Sequence, residues 1–147
     1  MAAVATAKDH GTCSSAALAG EWGYTLTGTL IPPTGPKPFA AVGRNTADAT
    51  GNVSGTQTSS VGGIVGDNTL KGTATLNSDC TGTLTLNIYD QSQTLLRTAV
   101  IAVVYDDDAS ELRGTFISLV VYPGGISVPS VVTLNGRKMF PDKGNGQ

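Results

Sequence analysis

The side chains that commonly carry covalent chemistry are sparse in this chain. Its one histidine, His10, lies near the amino terminus, which removes Ser-His-Asp and Cys-His triads and histidine-based metal sites. The two glutamates, Glu21 and Glu111, each begin a predicted strand, so the paired carboxylates of a glycosidase cannot be placed. The acidic run at 106–108 lacks the spaced oxygens of a calcium loop and predicts a solvated turn. We therefore expect no metal site and no cofactor.

Aromatic and cationic side chains remain as candidates for a binding site. Trp22 and Tyr24 lie on one face of the first predicted strand and combine an apolar surface with a polar tip, as in many small-molecule pockets. Arg97 shares a strand face with Tyr105, and a buried arginine there needs an acceptor from the protein or from a bound carboxylate or enolate. The predicted ligand-binding set consists of these four residues and Phe116.

These residues also have a purely structural interpretation. Trp22 would then be a core side chain that closes one end of the fold, and Arg97 would be solvated at a rim. Arg44 and Arg137 lie in strands where a neighbouring apolar set could place them inside, or at the same kind of rim. The sequence leaves both interpretations open.

The composition indicates an all-β protein. The 147 residues suffice for one domain with a sizeable core, 19 of them are glycine, and only 14% are charged. A net charge of −2 argues against nucleic-acid binding, which needs a clustered basic surface. No apolar stretch approaches the roughly 18 to 20 residues of a membrane-spanning helix. Nucleic acid and a membrane span are therefore not expected.

Turn signals divide the sequence into eight predicted strands. Because they follow one another without an intervening helix, the most economical arrangement is an up-and-down antiparallel β-barrel, whose closure removes exposed edges. A β-sandwich is the alternative. The barrel is expected over 13–140, between flexible tails at 1–12 and 141–147, with a longer loop at 62–68. The strand ranges are 21–30, 39–46, 53–61, 69–77, 81–89, 94–105, 111–122 and 130–139.

Strands 94–105 and 111–122 are apolar on both faces. An unbroken alternation in the second of them would place Phe116 on the face opposite Leu119 and Val121. A monomeric barrel buries only its inner face, and a large exposed apolar patch usually marks an interface. We therefore expect a homo-oligomer that packs through the outer surface of these two strands. The alternative is a terminal segment folded across them.

The two cysteines bear on the cellular location. Cys13 precedes the first strand, Cys80 lies in a turn, and neither has a neighbour that completes a zinc or redox motif. We expect a disulfide between them, closing a loop of roughly 67 residues; two free thiols in a cytosolic protein are the alternative. The first residues lack the basic start and apolar centre of a signal peptide. The low charge nevertheless favours a secreted or periplasmic protein whose leader has been removed.

A short motif resembles a known group of barrels. Gly20-Glu21-Trp22, shortly after Cys13-Ser14, resembles the Gly-x-Trp start of the calycin barrels, which include lipocalins and avidins. A longer series of short motifs makes the chain similar to small secreted bacterial proteins of unassigned role, which resemble allene-oxide-cyclase and dirigent barrels. In order along the chain, these motifs are Gly-Tyr, Ala-Val-Gly-Arg, Gly-Asn-Val-Ser-Gly, Leu-Lys-Gly-Thr-Ala-Thr and Asp-Cys-Thr-Gly-Thr. This resemblance implies an oligomer and an apolar cavity, which in some such barrels guides cyclisation of a reactive substrate without a cofactor.

Three functions remain open from the sequence. The first is a secreted barrel that binds a small, largely apolar ligand in its interior. The second is a cofactor-free cyclase or isomerase in the same cavity, where Tyr24, Tyr105 or Arg97 would polarise a substrate carbonyl. The third is a structural or surface protein with a filled core. An open interior favours the first two functions, and a packed interior favours the third.

Overall fold

Eight long strands close into an antiparallel barrel in the computed structural model, which describes residues 13–140. Consecutive strands pair from β1 to β7, and β9 joins β7 to β1, so the sheet closes on itself. The predicted up-and-down barrel is confirmed, and the alternative sandwich is wrong. The strands are β1 (Gly20–Leu30), β2 (Lys37–Ala47), β3 (Asn52–Val61), β4 (Ile64–Leu76), β5 (Thr81–Tyr89), β6 (Leu95–Tyr105), β7 (Glu111–Val121), the short β8 (Ile126–Ser127) and β9 (Ser130–Lys138).

A short segment before β1 covers one end of the barrel, which we call the base. It contains a 3-10 turn, Ser15–Leu18, and the Leu18 side chain is fully buried. Cys13 forms the predicted disulfide with Cys80 in the β4–β5 turn, across a Cα–Cα distance of 5.2 Å. We call Cys13–Leu18 the plug and the opposite end of the barrel the mouth. No helix within this part of the chain is long and apolar enough to cross a membrane.

The predicted tails at 1–12 and 141–147, and His10 with them, lie outside the described residues.

The β3–β4 connection differs from the sequence prediction. The sequence predicts a loop over 62–68, but β4 begins at Ile64 and the turn consists of Gly62 and Gly63. Both glycines have positive φ, 59° and 91°, as a two-residue hairpin turn requires. Gly66 and Asp67 are typical turn residues, but pairing with β3 holds them in an extended conformation. Long-range pairing overrides their local preference.

A β-bulge in β7 changes which side chains face the lumen. The ladder between β6 and β7 shifts register where Ile117 is inserted. Phe116 packs against the core before the insertion, and Leu119 and Val121 do so after it. Ile117 is 62% exposed on the outer surface. The unbroken alternation predicted for this strand is wrong, because one extra residue reverses a two-residue period.

Alternate side chains of the long strands fill the lumen. The clean alternation predicted for β5 is confirmed, since Leu84, Leu86 and Ile88 are buried. Burying a large aliphatic side chain stabilises the fold by about 1.5–3 kcal/mol. The largest fully buried side chains come from the plug and four strands, and they are Leu18, Leu70, Ile101, Val103, Leu119 and Val132.

Candidate functional site

The predicted ligand-binding side chains lie in two clusters at different ends of the lumen. Trp22, Tyr24 and Tyr105 line the base, and Arg97 and Phe116 lie toward the mouth, where both approach the same ring on β2. In the part of the chain that the structure describes, no group of three His, Cys, Asp or Glu side chains could hold a metal ion. The two ends of the lumen are therefore the places to examine for a binding site.

The base cluster is packed as a core. The rings of Trp22 and Tyr105 meet edge to face, with centroids 5.9 Å apart and an interplanar angle of 77°. The Trp22 indole N–H donates a hydrogen bond of 2.9 Å to the Leu18 carbonyl oxygen, which ties the plug to β1. Burial raises the pKa of Tyr105 to about 12, because the charged form would lose contact with water. Trp22 thus stabilises the closed base.

A small cavity, which we call the base cavity, remains beneath the plug. Its volume is about 40 Å³. A buried water needs at least about 10–15 Å³, and pockets for small-molecule ligands measure about 300–1,000 Å³. The wall is apolar except for Asn45 and the two tyrosines, and Asn45 Oδ1 is buried without a hydrogen-bond donor among residues 13–140. The lumen is therefore nearly filled at this end.

A chain of hydrogen bonds runs through the lumen toward the mouth. The Tyr24 hydroxyl donates to Gln57 Oε1 at 2.8 Å. Gln57 Nε2 and the Ser59 hydroxyl both donate to Asn68 Oδ1, at 3.4 Å and 3.0 Å. Arg97 Nη2 donates to Ser59 Oγ at 3.4 Å. Polar side chains on β1, β3, β4 and β6 are thus connected inside the barrel.

Three members of this chain, Gln57, Ser59 and Asn68, are not identified by the sequence analysis. Each is 5% exposed. The sequence nevertheless contains a signal for Gln57 and Ser59. Val53 and Val61 lie at the two ends of the predicted strand, and their spacing along the chain is even. An alternation counted from those two valines places positions 57 and 59 on the inner face. Asn68 falls in the segment that the sequence assigns to a loop, so no face could be predicted for it.

Arg97 is the charged group at the mouth. Its side chain extends from β6 toward β2 and β3, and its guanidinium carbon lies 5.8 Å from the centroid of the Phe39 ring. Burial lowers the pKa of Arg97 because the charged form loses contact with water. The contact with Ser59 is its one hydrogen bond to the described part of the chain, and it is long. The guanidinium therefore retains several unused donors.

Arg44 and Arg137, whose location the sequence left open, lie on the outside of the barrel. Both are exposed, and they pair with Glu21 and Glu111 at N–O distances of 3.1 Å. Exposed pairs of this kind contribute little to stability. Arg97 has no carboxylate partner within residues 13–140. The mouth therefore contains a largely desolvated positive charge that the described chain does not neutralise.

Apolar side chains surround Arg97. The rings of Phe39 and Phe116 have centroids 6.5 Å apart, and Phe116 is partly exposed to solvent. Ile88 and Val121 are paired with Arg97 on the neighbouring strands. Phe39 and Ile88 are buried, whereas Phe116 and Val121 are partly exposed. The mouth therefore offers an apolar surface from Phe116 and Val121 beside a cation, an arrangement that suits a small molecule with an apolar body and an anionic head.

Comparison with solved structures found similar chains. The structure of EF1p2_mFAP2b bound to DFHBI matches with a TM-score of 0.51 and 13% identity, covering 86% of this chain and 100% of that chain. The crystal structure of Rv2717c from M. tuberculosis matches with a TM-score of 0.41 and 14% identity, covering 84% and 94% of the two chains. The first likeness shows the fold alone. No protein-family model and no curated protein sequence matches this chain.

Proposed function

We propose that this protein is a secreted or periplasmic barrel whose mouth binds a small molecule with an apolar body and a carboxylate or enolate head. The observation that carries the proposal is the unneutralised guanidinium of Arg97. Withdrawing a cation from water without a counter-charge costs several kcal/mol. A bound anion would offset that cost with charge-assisted hydrogen bonds, which are the strong ones in proteins.

The ligand is placed at the mouth rather than deep in the lumen. The base cavity of about 40 Å³ is too small for a ligand of ordinary size. In this proposal Arg97 binds the anionic head, and Phe116, which is partly exposed, contacts the apolar body. Trp22, Tyr24 and Tyr105, also predicted to bind ligand, would instead support the mouth by holding the barrel closed below it.

Two further observations support the proposal. The neighbour EF1p2_mFAP2b was solved with DFHBI bound, so a barrel of this fold can carry a ligand. The Cys13–Cys80 disulfide is typical of proteins from oxidising compartments, which supports a secreted or periplasmic location. We also propose that the chain is related to the calycin and allene-oxide-cyclase barrels that its sequence resembles.

The experiment compares an acid with its neutral analogue. Isothermal titration calorimetry should detect 3-phenylpropionate binding to the wild type and much weaker binding of 3-phenylpropanol. Arg97→Leu should lower the affinity for the acid about tenfold or more, because hydrogen bonds to a charged group are worth about 1.5–3 kcal/mol. Arg44→Leu is the matched control, since it removes an exposed arginine outside the lumen. Equal binding of both probes, or unchanged binding by Arg97→Leu, would refute the proposal.

The cyclase alternative has less support. The Tyr24 hydroxyl is engaged with Gln57, and Tyr105 lies at the nearly filled base, where the cavity of about 40 Å³ is too small for a substrate of ordinary size. Only Arg97 would then be available to polarise a substrate carbonyl. The surface-protein alternative is favoured by one observation, the nearly filled lumen. It would act through the outer face, where the apolar patch described next lies.

We also propose that the protein forms a homo-oligomer through the outer face of β6 and β7. Val104 and Ile117 are 52% and 62% exposed there. Leu96, Val100 and Val120 lie on the same two strands and are partly exposed. We call these five residues the outer patch. A second copy of the chain is the proposed occupant, because apolar groups of this kind are stabilised by mutual burial.

A further inference from the structure

The base cavity contains a polar atom that the protein leaves unpaired. Asn45 lies opposite Trp22 in the β1–β2 ladder, and it is 6% exposed. Its side chain lies against the backbone of Gly55 and lines the cavity, while Oδ1 accepts no hydrogen bond from the described residues. Buried amide oxygens in native proteins almost always have a partner. An unpaired one beside a cavity therefore marks a place where a donor can bind.

The walls of the cavity determine what kind of donor fits. Among residues 13–140, no charged side chain lines the cavity. The Tyr24 hydroxyl is already directed to Gln57, and the aromatic faces of Trp22 and Tyr105 supply apolar contact. An ion would be desolvated there without compensation. The chemistry therefore selects an uncharged molecule with an apolar body and an N–H or O–H group.

Leu18 of the plug is the part of the cavity wall that does not belong to the barrel. It is held by the Trp22 hydrogen bond to its carbonyl oxygen and by the disulfide at Cys13. Lys138 Nζ also donates to the Ala17 carbonyl oxygen at 2.8 Å. These attachments use the Cys13 side chain and two backbone carbonyl oxygens, whereas the Leu18 side chain contributes apolar burial. Removing that side chain would enlarge the cavity without breaking an attachment of the plug.

We propose that the base of the barrel is a second, occluded binding site for a small uncharged molecule with one hydrogen-bond donor. Asn45 Oδ1 recognises the donor, the rings of Trp22 and Tyr105 contact the apolar body, and Leu18 occupies part of the site in the closed state. This site is independent of the Arg97 mouth. The two sites differ in position, in charge and in the class of ligand.

The test uses Leu18→Ala with indole, which has one N–H donor, and 1-methylindole, which has none. Binding is followed by the NMR shift of the Trp22 indole N–H. Leu18→Ala should bind indole about tenfold more tightly than the wild type does, because the added volume admits the ring. It should also prefer indole over 1-methylindole by about fivefold, the value of one neutral hydrogen bond. Adding Asn45→Leu should abolish that preference.

Two control variants separate this site from the mouth. Leu30→Ala makes the same truncation at a buried position near the mouth and should not create indole binding with a donor preference. Arg97→Leu should leave indole binding to Leu18→Ala unchanged, so failure of the mouth proposal is distinguishable from failure here. A folded Leu18→Ala that binds neither probe, or both equally, would overturn the inference.

A crystal structure of the wild type decides the matter if Leu18→Ala does not fold. Electron density for a water hydrogen-bonded to Asn45 Oδ1 would support a donor site. A dry cavity, with the Asn45 amide turned onto a protein group, would overturn it.

Discussion

At the scale of single residues, the side of the sheet on which a side chain lies determines its chemistry. Arg44 lies on the outer face, where Glu21 and solvent surround its charge. Arg97 lies on the inner face, over the ring of Phe39 and away from any carboxylate of residues 13–140. A charge interacts more strongly in the low-dielectric interior and is more costly to leave unpaired there. The same residue type is therefore a surface charge in one position and a candidate ligand-binding group in the other.

Asp48 provides a pH-dependent prediction at this scale. Hydrogen bonds from the backbone N–H and side chain of Asn52, and then from Thr50, lower the pKa of Asp48 from 3.8 to about 2. A carboxyl group whose pKa is lower in the folded state stabilises that state above the unfolded pKa, and this stabilisation is lost as pH falls through the folded value. The stability of the wild type should therefore fall between about pH 4 and pH 2 more steeply than that of Asp48→Asn. Urea unfolding at successive pH values measures both slopes, and parallel slopes would contradict the prediction.

At the scale of elements, the strands and the plug are held by different means. Each long strand has a hydrogen-bonded neighbour on both sides, since the sheet closes. The plug, by contrast, is attached through one disulfide, the Trp22 hydrogen bond, the Lys138 hydrogen bond and the burial of Leu18. The disulfide therefore makes a large contribution to holding the plug on the base. It is also an interaction that mutation of two residues can remove by itself.

Replacing Cys13 and Cys80 with serine should lower the free energy of unfolding by about 4 kcal/mol, because the bond closes a loop of 67 residues and restricts the unfolded chain. Urea denaturation followed by Trp22 fluorescence measures the change. Wild-type protein treated with a thiol reductant is the control and should match the double variant. An unchanged unfolding midpoint in both samples would show that the bond does not form in solution.

At the scale of the whole molecule, closure of the barrel decides which apolar residues remain exposed. Closure buries the inner faces of all eight long strands, but it leaves the outer patch of β6 and β7 in contact with solvent. A nearly filled lumen means that most of the accessible apolar surface lies on the outside or at the mouth. The functions proposed above are therefore placed at the mouth and at the outer patch rather than in a large internal pocket.

The oligomer is tested at the same scale. Light scattering at micromolar concentration should give a mass above the 14.9 kDa of one chain. Replacing both Val104 and Ile117 with lysine should return the mass to that of a monomer, since charges in an apolar interface are not solvated. Val131→Lys is the matched control, because Val131 is 65% exposed on β9, outside the outer patch. A monomeric wild type would contradict the proposal.

The existence and order of the long strands could be predicted because the signals are local. In β5 the alternation of leucine and isoleucine with threonine specifies a strand and its inner face. Glycine, aspartate and proline mark the turns for equally local reasons. The disulfide was also expected from the sequence, because the two cysteines lack any neighbour for another role.

The sequence by itself determined that the chain is all-β, with consecutive strands that favour a barrel over a sandwich, and that it has few groups able to perform covalent chemistry. Only the tertiary structure decided that Ile117 is an inserted residue, that Asn68 faces inward, and that Arg97 meets no carboxylate of residues 13–140. It also decided how much of the lumen is filled. The physical reason is that register and interior volume depend on how distant strands pair and tilt, whereas periodicity along one strand reports only on that strand.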